Sequence, residues 1–194
     1  MLQYVTNRSD RFSIAEQARM AIEGGCRWIQ LSIPGASDGE IERVAAEITP
    51  ICRETGTILV IEGHVEAVMN TRVHGVLLRS DDRPADEVRE YLGPHAIIGC
   101  AVSAADEIMA LAPLDVDYFS LGCGMTADDY RTVIDRLRAG GVEQPVVARG
   151  GITAEMIPQL LAAGVNGVAI SRAILDASDP EEATEAIIRI ASGK

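Results

Sequence analysis

The chain has 194 residues, of which 47% are hydrophobic and 24% are charged, and this composition predicts one soluble domain, residues 1–194, with a substantial core. Its formal net charge of -12 argues against nucleic acid and anionic membranes as partners, so an anionic ligand must meet a local group of cations. Only 4% of the residues are aromatic, which favours the aliphatic core that buried parallel strands form.

The start of the chain and its cysteines indicate a cytoplasmic protein. The first residues, MLQYVTNRSDRF, lack the pattern of a signal peptide, and no apolar stretch approaches the length that spans a membrane. The four cysteines have no zinc or redox spacing, so we predict small buried side chains in a reducing compartment. They are Cys26, Cys52, Cys100 and Cys123.

In the first half of the chain, short apolar segments alternate with amphipathic ones. The predicted strands are residues 2–6, 28–32, 58–61 and 75–78. Ser13 is the expected N-cap of the first helix, and Ser37 or Asp38 that of the second, which ends at Gly56. A short helix at 65–70 follows the third strand.

The second half continues the alternation. The predicted strands are residues 96–101, 118–122, 146–148 and 167–170. Pro84, Ser103 and Thr153 are expected at the starts of helices, the last two as N-caps, and Asp179 precedes the final helix. The helix after Ser103 is expected to reach residue 112, and the others cover residues 127–139 and 154–163.

About eight strands alternating with about eight helices predict a protein of the α/β class, a (β/α)8 TIM barrel. A doubly wound open sheet is the alternative. The first strand lacks the glycine-rich turn that such a sheet carries there, so we favour the barrel.

The segment PVVARGGITAEM predicts a phosphate site. Gly150 and Gly151 follow the seventh strand and allow close backbone approach, and Ser171 follows the eighth. In a barrel these two loops meet at one face, where phosphate sites are common. The alternative is that the glycine pair only makes a tight turn.

Charged residues follow other strands. Asp81 and Asp82 are candidate Mg²⁺ ligands, although acidic residues before Pro84 also favour the start of the next helix. His64 is a candidate general acid or base, with a solvated surface histidine as the alternative. The arginines of the strand ends, which we expect either to clamp an oxyanion or to form surface salt bridges, are Arg79, Arg149 and Arg172.

Several segments together resemble the thiamin phosphate synthase family, which includes the thiazole tautomerases, and they cover nearly the whole chain. They are GGCRWIQLS, GVLLRSDDRPADEVREYLG, AIIGCAVSAADE, DYFSLG and PVVARGGITAEMIPQLLAAGVNGVAISRAIL. The resemblance implies a (β/α)8 barrel that joins hydroxymethylpyrimidine diphosphate to thiazole phosphate, releases pyrophosphate with the help of Mg²⁺, and pairs with a second copy.

By position, the resemblance assigns Gln30 to the pyrimidine and Asp82 to Mg²⁺. It assigns Gly151, Ile170 and Ser171 to the thiazole phosphate.

Other positions depart from the family pattern. Ser32 and Pro34 stand where the family has an arginine and a lysine for the diphosphate, and Glu62-Gly63 replaces a pair that includes a second Mg²⁺ ligand. Ala101 replaces a serine, Ser103 stands where the tautomerases have a histidine, and the loop 123–126 is shortened.

These departures leave two alternatives to the synthase activity. One is a non-catalytic or repurposed protein that binds thiazole phosphate or thiamin phosphate. The other is an isomerase of phosphorylated sugars or amino-acid precursors in which His64 works with Asp82 or Glu62. All three readings share a small phosphorylated ligand.

Overall fold

The computed structural model describes residues 1–122 and 124–193, and within them eight parallel strands close into a barrel in chain order. The strands are β1 (Leu2–Val5), β2 (Trp28–Leu31), β3 (Ile58–Glu62), β4 (Gly75–Leu78), β5 (Ile97–Val102), β6 (Tyr118–Leu121), β7 (Val146–Arg149) and β8 (Gly167–Ile170). Closure comes from the pairing of β1 with β8, in which Leu2 lies opposite Val168. The predicted (β/α)8 barrel is therefore confirmed and the open sheet is excluded.

Helices surround the barrel on its outer side. They are α1 (Ile14–Glu23), α2 (Asp38–Thr55), α3 (Val65–Thr71), α4 (Ala85–Leu92), α5 (Ala105–Leu111), α6 (Ala127–Ala139), α7 (Ile157–Ala162), α8 (Arg172–Leu175) and α9 (Pro180–Ala191). Ser13 and Ser37 cap α1 and α2 as predicted, because each hydroxyl accepts the amide of the third helical residue. Outward strand residues such as Ile29 and Ile61 are buried against these helices.

Two predicted helix starts are wrong. Ala104, not Ser103, is the N-cap residue of α5, and the hydroxyl of Ser103 instead donates to Glu107 Oε1 at 2.6 Å. Thr153 precedes a 3-10 turn, Ala154–Met156, and makes no side-chain cap, so α7 begins only at Ile157. The helix α8 was not predicted, since four residues are too few to show a hydrophobic period.

The lower part of the barrel interior is closed by an aromatic plug. Tyr118 lies over Gly99, where an added Cβ would come within 2.3 Å of the phenol ring. Trp28 packs edge-on against the same ring at a centroid distance of 5.2 Å, and Gln3 donates to the Tyr118 hydroxyl at 3.3 Å. A ligand can therefore enter the interior only above this layer, at the carboxyl ends of the strands.

Three of the four cysteines behave as predicted. Cys26, Cys52 and Cys100 are buried free thiols, and Cys123 lies outside the described residues. No helix in the described part of the chain is long and apolar enough to cross a membrane.

Candidate functional site

The upper layer of the barrel interior is polar. Successive residues of a strand point to opposite faces, so Gln30, Glu62, Ser120 and Arg149 point inward, and all four border one cavity. This cavity holds about 230 Å³ and opens at the carboxyl ends of the strands. We refer to it below as the β7–β8 cavity.

The rim of the β7–β8 cavity is made by the two loops singled out from the sequence. Gly150, Gly151, Ile170 and Ser171 all line it. The φ angles of the two glycines are +90° and +68°, a region that residues with a side chain rarely adopt. A Cβ on Gly151 would meet nothing within 4 Å, so the space above its backbone is open to a ligand.

Arg149 is fixed at the floor of this cavity by its main chain and by one of its side-chain nitrogens. Its Nε donates to the carbonyl of Ser120 at 3.2 Å. The buried Tyr130 hydroxyl donates to the carbonyls of Leu121 at 2.8 Å and Arg149 at 3.4 Å, which holds the ends of β6 and β7 together. The two terminal nitrogens of Arg149 form no ion pair within residues 1–122 and 124–193, so they remain available to an anion.

Three residues that line the cavity each have a buried side-chain oxygen without a hydrogen-bond partner among the described residues. These oxygens are Gln30 Oε1, Ser120 Oγ and Ser171 Oγ. Buried polar atoms almost always have a partner, so three unpaired oxygens around one cavity indicate a polar ligand. The amide nitrogen of Gln30 donates to Glu62 Oε2 at 3.1 Å, which turns Oε1 away from that carboxylate.

A second hollow lies beside the first, at the ends of β2 and β3, and holds about 360 Å³. Ser32, Pro34, Glu62, His64 and Arg79 line it, and Glu62 borders both hollows. The two positions that the family resemblance assigns to cationic diphosphate ligands are therefore neutral here. The cation of this hollow is Arg79.

Arg79 forms a tight network with the two acidic residues after β4. Its main-chain N–H donates to Asp82 Oδ2 at 2.7 Å, and its guanidinium donates to Asp82 Oδ1 at 3.1 Å. The guanidinium also lies 3.5 Å from Asp81 Oδ1. Its hydrogen bond with Asp82 raises the pKa of Arg79, and the charges of Asp82, Asp81 and Glu62 act in the same direction.

His64 is held in an unusual conformation at the edge of the second hollow. Its φ of 50° and ψ of 53° are left-handed values that a residue with a Cβ adopts only at a cost. Nδ1 lies 2.5 Å from Asp38 Oδ1 at the start of α2. This contact occupies one ring nitrogen and leaves Nε2 as the nitrogen that a ligand can reach.

The predicted site residues therefore do not share one cavity. Gln30, Arg149, Gly150, Gly151, Ile170 and Ser171 share the β7–β8 cavity, whereas His64 and Arg79 share the second hollow. Asp82 borders a third, more apolar hollow of about 420 Å³ with Arg79 and Ala101, and Asp81 is 77% exposed. Of the shortened loop 123–126, Cys123 lies outside the described residues.

Two residues that belong to these sites were not predicted from the sequence. Ser120 lies within a buried apolar strand, and only its alternation with Tyr118 signals that it points inward. Asp38 was read only as a helix start, and its contact with His64 joins residues 26 positions apart.

The sequence and the fold were compared with known proteins. The family model described as "Thiamine monophosphate synthase" matches residues 2–174. A thiamine-phosphate synthase of Bacteroides fragilis is 37% identical over 201 aligned residues, which cover 97% of this chain and 98% of that protein. One from Pyrococcus abyssi is 34% identical over 181 residues, covering 90% of this chain and 87% of that protein.

The same similarity appears among solved structures. The thiamine phosphate pyrophosphorylase from Pyrococcus furiosus superposes with a TM-score of 0.89 at 26% identity, over 98% of this chain and 95% of that one.

Proposed function

The chain belongs to the thiamine monophosphate synthase family, and from this membership we propose that it is an enzyme of thiamin biosynthesis that joins hydroxymethylpyrimidine diphosphate to thiazole phosphate. The products are thiamin phosphate and pyrophosphate. The chain covers 98% of the thiamine-phosphate synthase of Bacteroides fragilis and 87% of that of Pyrococcus abyssi, which supports the proposal.

The observation that carries the proposal is the β7–β8 cavity. The cavity suits a phosphorylated heterocycle. It offers main-chain amides after two neighbouring parallel strands, an inward arginine and three oxygens without a partner among the described residues. We assign the phosphate of the thiazole to the amides of Gly150, Gly151 and Ser171, with Ile170 against the ring side. Arg149 supplies the positive charge from below.

The second substrate is assigned to the space between the two hollows. We assign Gln30 to the pyrimidine, because the residue borders the β7–β8 cavity and its Oε1 has no partner among the described residues, while Glu62 accepts from its amide nitrogen. The diphosphate then extends into the second hollow, towards Arg79 and His64. The two reacting centres are held face to face in this arrangement, which removes the entropy cost of bringing them together.

The reaction needs help mainly at the leaving group. Cleavage of the C–O bond leaves both electrons on pyrophosphate, and the thiazole nitrogen supplies the electron pair of the new C–N bond. Arg79 stabilises the negative charge that develops on the pyrophosphate. His64, with Nδ1 on Asp38, is placed to give a proton from Nε2 to a pyrophosphate oxygen.

Magnesium is the ion that the family resemblance implies, and Asp81 and Asp82 are the carboxylates expected to hold it. We infer that they do not fit this role in the present chain. Both oxygens of Asp82 already accept hydrogen bonds from Arg79. Within residues 1–122 and 124–193, no three His, Cys, Asp or Glu side chains form a group that could hold a metal ion.

Three further expectations belong to this proposal. The ligands are small phosphorylated molecules, the reaction takes place in the cytoplasm, and two barrels pair. Nothing in the charge of -12 favours a nucleic acid or an anionic membrane surface as a partner.

The direct test is an assay of thiamin phosphate formation from the two purified substrates, with pyrophosphate release measured in parallel. We expect both products in equal amounts. A phosphorylated substrate consumed without thiamin phosphate, or no product under conditions in which the Bacteroides fragilis relative works, contradicts the proposal.

A further inference from the structure

The side chain of Arg79 occupies the space where a cation bound by the ends of β3 and β4 would lie. Asp82 accepts two hydrogen bonds from Arg79, and an Asp81 oxygen lies 3.5 Å from its Nε. The negative charge of Glu62 helps to raise the pKa of Arg79. Two carboxylates therefore contact the guanidinium, and the charge of a third, that of Glu62, acts on it. A bound divalent ion would need the same carboxylate oxygens.

Gly63 makes room for this guanidinium. A Cβ at Gly63 would lie 3.0 Å from Nη2 of Arg79 and 3.1 Å from Cζ, so a larger residue would shift the guanidinium by a few tenths of an ångström. Gly63 also has a φ of +65°, which suits glycine and strains other residues. Gly63 therefore leaves the space that the long cationic side chain of Arg79 occupies.

We propose that the guanidinium of Arg79, seated over Gly63 and held by Asp81 and Asp82, takes the place of a divalent cation, so that pyrophosphate binds and leaves at this mouth without Mg²⁺. The identity of the pyrophosphate rests on the proposed function, whereas the replacement of the metal rests on the contacts alone. Arg79 is partly exposed in the second hollow, and its Nη1 makes no hydrogen bond to the described residues. A guanidinium suits this role because it presents several donors in one plane to phosphate oxygens.

The charge balance sets the expected strength of this site. Asp81 and Asp82 carry two formal negative charges against the single positive charge of Arg79, and a guanidinium carries half the charge of Mg²⁺. Pyrophosphate affinity should therefore be modest and should fall with salt. It should not depend on metal.

Calorimetry distinguishes a site in which Arg79 replaces the metal from a site that binds a divalent ion. We would titrate the purified protein with MgCl₂ and MnCl₂, and then with pyrophosphate in EDTA and in excess Mg²⁺. The expected result is no metal binding by the protein alone and a pyrophosphate affinity that changes less than about twofold between the two buffers. Metal binding by the free protein, a tenfold weaker affinity in EDTA, or no pyrophosphate binding in either buffer would each overturn the proposal.

Two variants and a matched control assign the effect to Arg79. Arg79→Gln should weaken pyrophosphate binding in EDTA by at least about tenfold, which is the usual loss with one charge-assisted hydrogen bond. Gly63→Ala should weaken it by less, because its Cβ shifts the guanidinium only slightly. Arg83→Gln is the control, since Arg83 is an ion-paired arginine of the same loop with similar exposure, and its pyrophosphate affinity should equal that of the wild type. Equal pyrophosphate affinities for wild type and Arg79→Gln would overturn the proposal even if all variants fold normally.

Product formation tells this proposal apart from the proposed function. Thiamin phosphate formed only with Mg²⁺ overturns the replacement of the metal and leaves the synthase activity intact. Pyrophosphate bound equally in EDTA without any thiamin phosphate supports the replacement and counts against the synthase activity.

Discussion

Under the proposed function, two sides of the barrel mouth bind phosphate groups in an acidic protein, and their residues would do so in different ways. After β7 and β8 the chain offers main-chain amides, open space above Gly151 and an arginine without an ion-pair partner among the described residues. After β3 and β4 it offers a guanidinium already held by two carboxylates, and Gly63 leaves the space in which this guanidinium lies. After β7 and β8 the polar groups lack partners within the described residues, whereas after β3 and β4 the cation already has carboxylate partners.

This difference teaches where family membership is informative. The β7–β8 end depends on backbone conformation and small residues, which the sequence keeps in the form that the resemblance leads one to expect. The β3–β4 end depends on the charges of individual side chains, and there the residues form a new network. Substitutions at the two ends should therefore have distinct effects on distinct ligands.

The largest expected effect comes from placing a charge in the β7–β8 end. Gly151→Asp should weaken the binding of thiazole phosphate by at least about a hundredfold, because the new carboxylate faces the phosphate and strains a positive φ. Calorimetry with thiazole phosphate measures the loss.

Gly141→Asp is the matched control for this substitution. Gly141 also has a positive φ and open space around it, but it lies in the turn between α6 and β7, at the opposite end of the barrel. Its thiazole phosphate affinity should remain that of the wild type. Similar losses in both variants would show that backbone strain, and not the phosphate site, is responsible.

The next effect concerns Arg149, the cation that we place against the phosphate in the β7–β8 cavity. Arg149→Met should weaken thiazole phosphate binding by roughly tenfold to a hundredfold, the usual size for a hydrogen bond to a charged group. Arg189→Met, an exposed arginine of α9, provides the reference. An Arg149→Met protein with unchanged affinity would mean that the amides alone bind the phosphate.

A smaller effect should follow from loosening the β6–β7 junction. Tyr130→Phe removes a hydroxyl that donates to the carbonyls of Leu121 and Arg149, leaving them without this donor in a buried place. We expect the free energy of unfolding to fall by about 1–2 kcal/mol, as judged by urea denaturation. Unaltered stability would contradict the view that this hydroxyl holds the two strand ends together.

The last prediction concerns two buried thiols that line neither the β7–β8 cavity nor the second hollow. Burial raises the pKa of the Cys52 thiol, with a small contribution from Cys26, and that of the Cys100 thiol, in each case to about 11 from 9.0. The folded chain then retains protons that the unfolded chain loses. This contribution to stability is complete below pH 9 and is lost as the pH rises to 11.

Urea denaturation at several pH values between 8 and 11 checks this, since the unfolding free energy should decline over the upper part of that range. The Cys52→Ala, Cys100→Ala double variant should show a shallower decline. Identical slopes for the two proteins would exclude the thiols as the cause.

Much of the fold could be predicted from the sequence. Buried parallel strands read as short apolar runs, so β4 and β8 were located to the residue, and glycine and serine punctuation gave the starts of α1 and α2. The failures were local. At Ser103 the hydroxyl had an acidic partner four residues along, which competed with the cap.

The site was predictable only where it depends on local sequence. Gly150, Gly151 and Ser171 could be named because a turn conformation and a strand end are local features. The pairing of Arg79 with Gly63, the contact of His64 with Asp38 and the inward position of Ser120 depend on which strands are neighbours and where long side chains lie. No spacing in the sequence encodes these contacts.

The most direct test of the account is a crystal structure with thiamin phosphate bound. The account predicts its phosphate oxygens within about 3 Å of the main-chain nitrogens of Gly151 and Ser171, above the guanidinium of Arg149. A phosphate bound instead against Arg79 and His64, or outside the barrel mouth, would contradict it.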